Sequence, residues 1–159
     1  DSDAAKARTR VSRKIADLGN AENESFGIEL GYAYTDSPLI WSEDNSYRSD
    51  PLNYHPTTLP GYRAPSVYLG SGEAIYDSFG RGLTLLNFTP DQVDTTAVRA
   101  SAQKLGIPLT ILSILDSHAR AIYDRDLVLL RPDNHSCWRG NHLPENFNSI
   151  LARVVGKAA

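Results

Sequence analysis

Hydrophobic and polar positions divide the chain into three regimes. Val11, Ile15 and Leu18 fall at i, i+4, i+7, with Ala4, Ala5 and Ala7 ahead of them and Arg8, Arg10, Arg13 and Lys14 on the polar side. This spacing predicts a helix over 1–26 with an apolar stripe so narrow that it should dock onto another surface. Ile28, Leu30, Tyr32 and Tyr34 then alternate with other residues, which predicts an extended segment. Residues 42–61, "SEDNSYRSDPLNYHPTTLPG", are polar and proline-rich and read as a linker or long wrapping loop.

From residue 62 the pattern becomes regular. "APSVYL" predicts a short strand and "EAIYDSFG" a helical turn closed by Gly80. "LTLLNF", 83–88, is apolar almost throughout, as a strand covered on both faces would be. "DTTAVRASAQKLG" predicts a helix capped by Asp94 or Thr95, with Val98, Ala102 and Leu105 on one face and Gly106 at its end. "LTILSIL", 109–115, is a second buried strand. "DSHARAIYDR" is a short helix capped by Asp116 or Ser117, and "LVLLR", 127–131, is a third strand. Pro132, Asp133 and Asn134 form a turn by composition, and "HSCWR" returns as a fourth strand. Phe147, Ile150, Leu151 and Val154 predict a last helix over 145–155, ended by Gly156.

The order from residue 83 is β-α-β-α-β-β-α. Strands joined through helices are expected to run parallel and the last two antiparallel. The fold class is α/β: a thioredoxin-like core, a mixed sheet with helices on both faces, preceded by an N-terminal helix and a wrapping linker.

The remaining sequence features narrow the picture. The 159 residues suffice for one domain with an appendage, and 41% hydrophobic and 22% charged residues are ordinary for a globular chain. A net charge of -3 gives no reason to expect nucleic acid or a membrane as partner. No apolar run approaches the roughly 20 residues of a membrane span, and "DSDAAKARTRVSRK" lacks the core of a secretory signal. A single cysteine, Cys137, forms no intramolecular disulfide, so a reducing, cytoplasmic setting is expected and the sequons at Asn23, Asn87 and Asn134 are read as unused. The chain contains no methionine, so Asp1 is not expected to be a translation start.

"LVLLRPDNHSCWRG", 127–140, concentrates residues capable of chemistry. Thiol–disulfide exchange needs two cysteines at the start of the helix after the first core strand, and "FTPDQVDTT" has neither. His135 and Cys137 share a strand face, with Asp133 and His142 near, but no second ligand pair exists and His55 and His118 stand apart. A Cys–His or Ser–His nucleophile pair is too close in sequence on one strand to face itself, and no G-x-S-x-G elbow occurs. "GSGEAI", 70–75, lacks the third glycine of a dinucleotide loop, and Gly80-Arg81-Gly82 answers a backbone need better than a phosphate. Arg131, Asp133, Arg139, Asp77 and Arg81 are expected in ion pairs and caps, and Trp138 in the core. No catalytic, cofactor-binding or metal-binding residue is therefore assigned.

"PGYRAPSVYL" (60–69), "IYDSFGRGLTLLNF" (75–88) and "YDRDLVLLRPDNHSCWRG" (123–140), in that order, resemble the C-terminal domain of FAD-dependent aromatic-ring hydroxylases, such as phenol hydroxylase and the polyketide hydroxylases. Ser66 replaces the family's usual histidine, Arg125 a glycine, and Ser136-Cys137 a Val-Ala pair. "FGIELGYAYTDSPLI", 26–40, resembles the exit from the family's FAD domain. The resemblance implies that residues 1–41 end an FAD/substrate domain, 42–61 link, and 62–159 form the thioredoxin-like C-terminal domain. It implies FAD and NAD(P)H in a parent enzyme that hydroxylates an aromatic ring with oxygen. It also implies the FAD/substrate domain as partner, a homodimer contact in some relatives, and no activity in this chain alone. The contrasting expectation is a free-standing thioredoxin-like binding module without redox activity, whose N-terminal helix would pack with no bare face.

Overall fold

The structure is a computed structural model that describes residues 2–23, 25–43 and 47–157. The chain forms two compact units, one of residues 1–32 and 47–55 and a larger one of 33–46 and 56–159. Residues 1, 24 and 44–46 of the expected helix and linker lie outside the described residues, as do the side chains of Leu18 and Asn23.

In the smaller unit, helix α1 spans Ser2–Asn23 and a single turn, α2, spans Phe26–Glu29. The extended segment expected through Ile28 and Leu30 is thus helical at its start. Ser25 O accepts the amides of both Ile28 and Glu29, and Gly27 lets Asp50 approach: a Cβ there would stand 1.7 Å from Asp50 O. Local closure by a glycine outweighs the alternation read from four residues.

In the larger unit the elements are β1 (Leu83–Asn87), α3 (Thr96–Lys104), β2 (Leu109–Ser113), α4 (Ser117–Tyr123), β3 (Leu127–Leu130), β4 (Ser136–Gly140) and α5 (Phe147–Val154). A 3-10 turn over Ile75–Ser78 precedes them. The order matches the expected one, and the sheet runs β2-β1-β3-β4. One direction differs. β1 and β2 are parallel, but β3 runs antiparallel to β1 rather than parallel. Ser113, which ends β2, and Leu127, which begins β3, both lie beside Asn87 at the same end of β1. The connection through α4 crosses that end without travelling back along the sheet. Asp116 caps α4 by accepting Ala119 N at 2.8 Å, and Asp124, left-handed at φ 63°, turns the chain straight into β3. A helix between two strands makes them parallel only when it spans the strand's length, and α4 has seven residues.

Alternation along the strands divides the core in two. Leu83, Leu85, Leu127 and Leu129 face α3 and α5. Leu86, Val128 and Leu130 face Ala119 and Tyr123 of α4 and Ile75 of the 3-10 turn. The sheet therefore carries helices on both faces, as the unbroken apolar strands require. "APSVYL" is not a regular strand: Arg63 and Tyr68 make isolated bridges to His135 and Ala74, and "GSGE" closes a tight turn with Gly72 at φ 87°.

Gly82 meets the backbone need expected of it, whereas Gly80 makes room for the Thr110 side chain. A Cβ at Gly82 would stand 2.3 Å from Pro108 O, which accepts Leu83 N at 2.9 Å and starts the β1–β2 ladder. Replacing Gly82 by Ala should push these strands apart at their first pair and cost about 2 kcal/mol, read as a lower urea midpoint at unchanged slope.

Candidate functional site

The turn between β3 and β4 and the segments packed around it carry the chemistry-bearing side chains. Arg131 N donates to His135 O at 2.9 Å, Asn134 N donates to Arg131 O at 2.9 Å, and Asn134 is left-handed at φ 64°. This is the tight turn that Pro132-Asp133-Asn134 predicts. Arg131 and Asp133 pair across it at 2.9 Å, and Asp133 also accepts His135 N at 3.2 Å. Partial burial raises the Asp133 carboxyl, but the hydrogen bonds from Arg131 and His135 outweigh it and leave it below the ordinary carboxylate range.

The five-residue run after the turn, "HSCWR", does not alternate as expected. Leu130 pairs with Ser136 and Leu129 with Trp138, so Cys137 is an extra residue in a bulge. Cys137 and Trp138 consequently face the same core, where Trp138 meets Phe147 edge-on with ring centroids 4.9 Å apart. His135 is instead a buried residue of the turn, its Nδ1 3.0 Å from Asp133 O and its ring 4.8 Å from that of Tyr34. The shared face expected for His135 and Cys137 is lost with the bulge. Burial pushes the Cys137 thiol up to about 12, against a smaller pull from Arg131, and its S–H donates to Leu129 O at 3.3 Å. A thiol so placed has almost no thiolate at neutral pH and no reactivity.

The bulge also frees carbonyls toward the segments that precede the core. Cys137 O accepts Trp41 N at 2.9 Å, Ser136 O accepts Gly61 N at 2.7 Å, and Asn134 O accepts Ala64 N at 2.8 Å. Residues 38–43 thus lie as a strap along β4 and α5. Ile40 is fully buried, Arg153 donates to Pro38 O at 3.0 Å, and its guanidinium lies 5.3 Å from the Trp41 ring centroid. Arg139, its side chain only 7% exposed, holds the end of the strap by a double hydrogen bond to Glu43. The same guanidinium reaches Thr58 Oγ1 at 3.3 Å and Asp124 at 3.5 Å, and Thr58 in turn donates to Tyr123 O at 2.6 Å. Glu43 and Thr58 are partners that sequence reasoning missed: they stand 96 and 81 positions from Arg139, with no local signal joining them.

The other candidates do not converge. His55, His118 and His142 are exposed, and among the described residues no three His, Cys, Asp or Glu side chains group as metal ligands. Asp77 and Arg81 form no ion pair among the described residues. In the loop where a redox relative would carry cysteines, buried Asn87 accepts Thr89 N at 3.0 Å and donates to Val93 O at 3.3 Å. A cleft of about 410 Å³ opens at the end of β2, between the Gly70 turn and Asp116. Its charged lining is Glu73 and Asp116, with no lysine or arginine, and Asp116 already accepts Gly70 N at 2.8 Å and Ala119 N at 2.8 Å. A dinucleotide pyrophosphate needs cations or free amides, so this cleft does not fit FAD.

These features define an α/β domain in which Arg131, Asp133, Cys137 and Arg139 are engaged in the domain's own turn, core and strap. The chain belongs to the aromatic-ring hydroxylase C-terminal family, whose model matches residues 57–158. Among curated proteins it is 36% identical to the FAD-dependent monooxygenase opdD of Penicillium oxalicum, over 97% of this chain and 32% of that protein. It is 33% identical to the FAD-dependent monooxygenase apdD of Emericella nidulans, over 86% of this chain and 24% of that protein. Among solved structures, the rebeccamycin biosynthetic enzyme RebC with reduced flavin superposes with a TM-score of 0.77 at 29% identity, over 99% of this chain and 29% of that one. The chain thus spans a third or less of the length of the relatives it matches.

Two outcomes are expected from this site. Native protein at neutral pH should leave Cys137 unmodified by a thiol reagent, with one thiol titrating after denaturation. Asp133, depressed in the folded state, stabilises the turn above its unfolded pKa of about 3.9 and loses that contribution as pH falls through its lower folded value. Asp133→Asn should therefore lower stability at pH 7 and flatten its dependence on pH between about 5 and 2, measured by urea unfolding across that range.

Proposed function

We propose that this chain is the C-terminal supporting part of an FAD-dependent monooxygenase that hydroxylates an aromatic substrate with NAD(P)H and oxygen, and that it supplies no catalytic residue. The carrying observation is the asymmetry of the match: 97% of this chain aligns to only 32% of a flavin monooxygenase. The bound chemistry of such an enzyme, hydride transfer from the nicotinamide and oxygen transfer by the flavin, belongs to its cofactors. This chain's residues contribute position. Arg139 and Arg153 fix the strap at 38–43.

On this reading residues 1–41 close the FAD/substrate domain, 42–61 link, and 62–159 form the thioredoxin-like domain. The main partner is the FAD/substrate domain of the same parent, with a second copy as a further contact, in the cytoplasm. Among the described residues no helix is long and apolar enough to cross a membrane. The exposure of Val11 at 52%, Ile15 at 65%, Phe26 at 57% and Ile28 at 59% supports a missing neighbour over a self-sufficient binding module.

The test is expression of the full-length parent beside this chain alone. The parent should show flavin absorption bands and oxidise NAD(P)H with oxygen uptake when given phenolic substrates, while this chain alone is colourless. A colourless, inactive parent, or FAD bound by this chain alone, would overturn the proposal. Within the parent, Arg139→Ala should free the strap by removing the double hydrogen bond to Glu43 and the contacts to Thr58 and Asp124. The expected loss is about 2–3 kcal/mol in stability, with flavin content kept at permissive temperature.

A further inference from the structure

Helix α1 presents a charged, exposed surface. Every side chain from Ser2 to Asp17 is exposed. Lys6, Arg10 and Lys14 recur four apart, with Arg13 beside them, and together they line one groove of the helix. Asp3 and Asp17 share this face, and Asp3 pairs with Lys6 at 3.8 Å. Arg8, Arg10, Arg13 and Lys14 form no ion pair among the described residues. The adjacent face presents Val11 and Ile15, at 52% and 65% exposure.

Such a helix is poorly placed to persist alone. Cations at i, i+3 and i+4 repel one another, and helices without tertiary packing are marginal in water. Its stability therefore calls for a surface that is both anionic and apolar. Residues 2–17 carry five cations and two carboxylates, a net +3 (5 − 2), so the rest of the chain carries −6 (−3 − 3). The helix gathers five of the chain's 16 lysines and arginines into one face-forming segment, and it belongs to the shared region: the RebC match covers 99% of this chain, and 29% of that larger protein.

We propose that Lys6, Arg10, Arg13 and Lys14, beside Val11 and Ile15, dock α1 onto an acidic, apolar-floored groove in the remainder of the same parent enzyme. The seating is led by charge and sealed by the two β-branched side chains. This rests on the reading of the chain as part of a flavin monooxygenase, and it adds the chemistry of the contact: the interface should be salt-sensitive, unlike a purely apolar one.

The experiment is amide hydrogen exchange of residues 2–23 in the full-length parent, with flavin absorbance recorded on the same samples. The wild-type helix should be protected at low salt and lose protection as salt rises. The triple variant Arg10→Glu, Arg13→Glu, Lys14→Glu should exchange on the order of tenfold faster or more, while the triple Lys/Arg-conserving variant (Arg10→Lys, Arg13→Lys, Lys14→Arg) keeps its protection. Arg81→Glu, an exposed cation elsewhere, should change nothing. Undiminished protection in the charge-reversed protein overturns the proposal. Where that variant fails to fold, protection of the wild-type helix that is indifferent to salt overturns it equally. Recruitment of the parent to anionic vesicles, lost on charge reversal, would assign the helix to a lipid surface and also overturn it. Absent flavin with a salt-sensitive, protected helix would sink the functional reading and leave this docking intact.

Discussion

Four consecutive leucine and valine side chains of β3, Leu127 to Leu130, are each fully buried, and every other feature of the larger unit follows from that constraint. A strand with no wet face must be covered on both sides. Here α3 and α5 cover one side, and α4 with the 3-10 turn covers the other. The middle of the sheet is closed to any ligand, which leaves its ends and its edges. At the β4 edge the strap and residues 61–64 take up the free carbonyls, so that edge is spent as well. What remains polar at the turn is committed to holding these coverings in place.

The same coverings bear on the stretch dense with His, Ser, Cys, Asp and Arg. A nucleophile needs access and a lowered pKa, and burial moves Cys137 the opposite way, to about 12. A metal needs converging donors, and the bulge turns Cys137 into the core while His135 remains at the turn. Arg139 has the wrong burial for a substrate-binding cation. At 7% exposure, with Glu43, Thr58 and Asp124 around it, its donors are already occupied. Buried ion pairs add little net stability over apolar packing, but they are costly to break, which makes them good at fixing one arrangement of loops.

The layered core was legible because its signal is local. Runs such as "LTLLNF" and "LVLLR" announce strands buried on both faces, and Phe147, Ile150, Leu151 and Val154 announce the face of α5. The turn at Asn134 followed from composition. The direction of β3 did not, because it depends on where a seven-residue helix lets the chain re-enter the sheet, and periodicity carries no information on that. The Cys137 bulge was hidden for a related reason. "HSCWR" reads equally well with or without an extra residue, and only the pairing of Ser136 and Trp138 with Leu130 and Leu129 reveals it. Glu43 and Thr58 lay in a stretch whose polarity suggested a solvated linker. Polarity there marks partners for a buried guanidinium.

The lack of a cysteine pair after β1 has a physical counterpart in the loop there. In that position a redox protein exposes a thiol at a helix N-terminus, where the dipole lowers its pKa. Here the buried amide of Asn87 bonds both Thr89 N and Val93 O and so pins the loop against the end of the sheet. A pinned loop suits a domain that must present fixed surfaces, because an interface gains affinity when its parts are ordered before contact. The same economy runs through the strap and the turn: Arg139, Arg153, Arg131 and Asp133 are each used to hold a neighbouring segment in place. Rigidity is then what these polar groups supply to the domain.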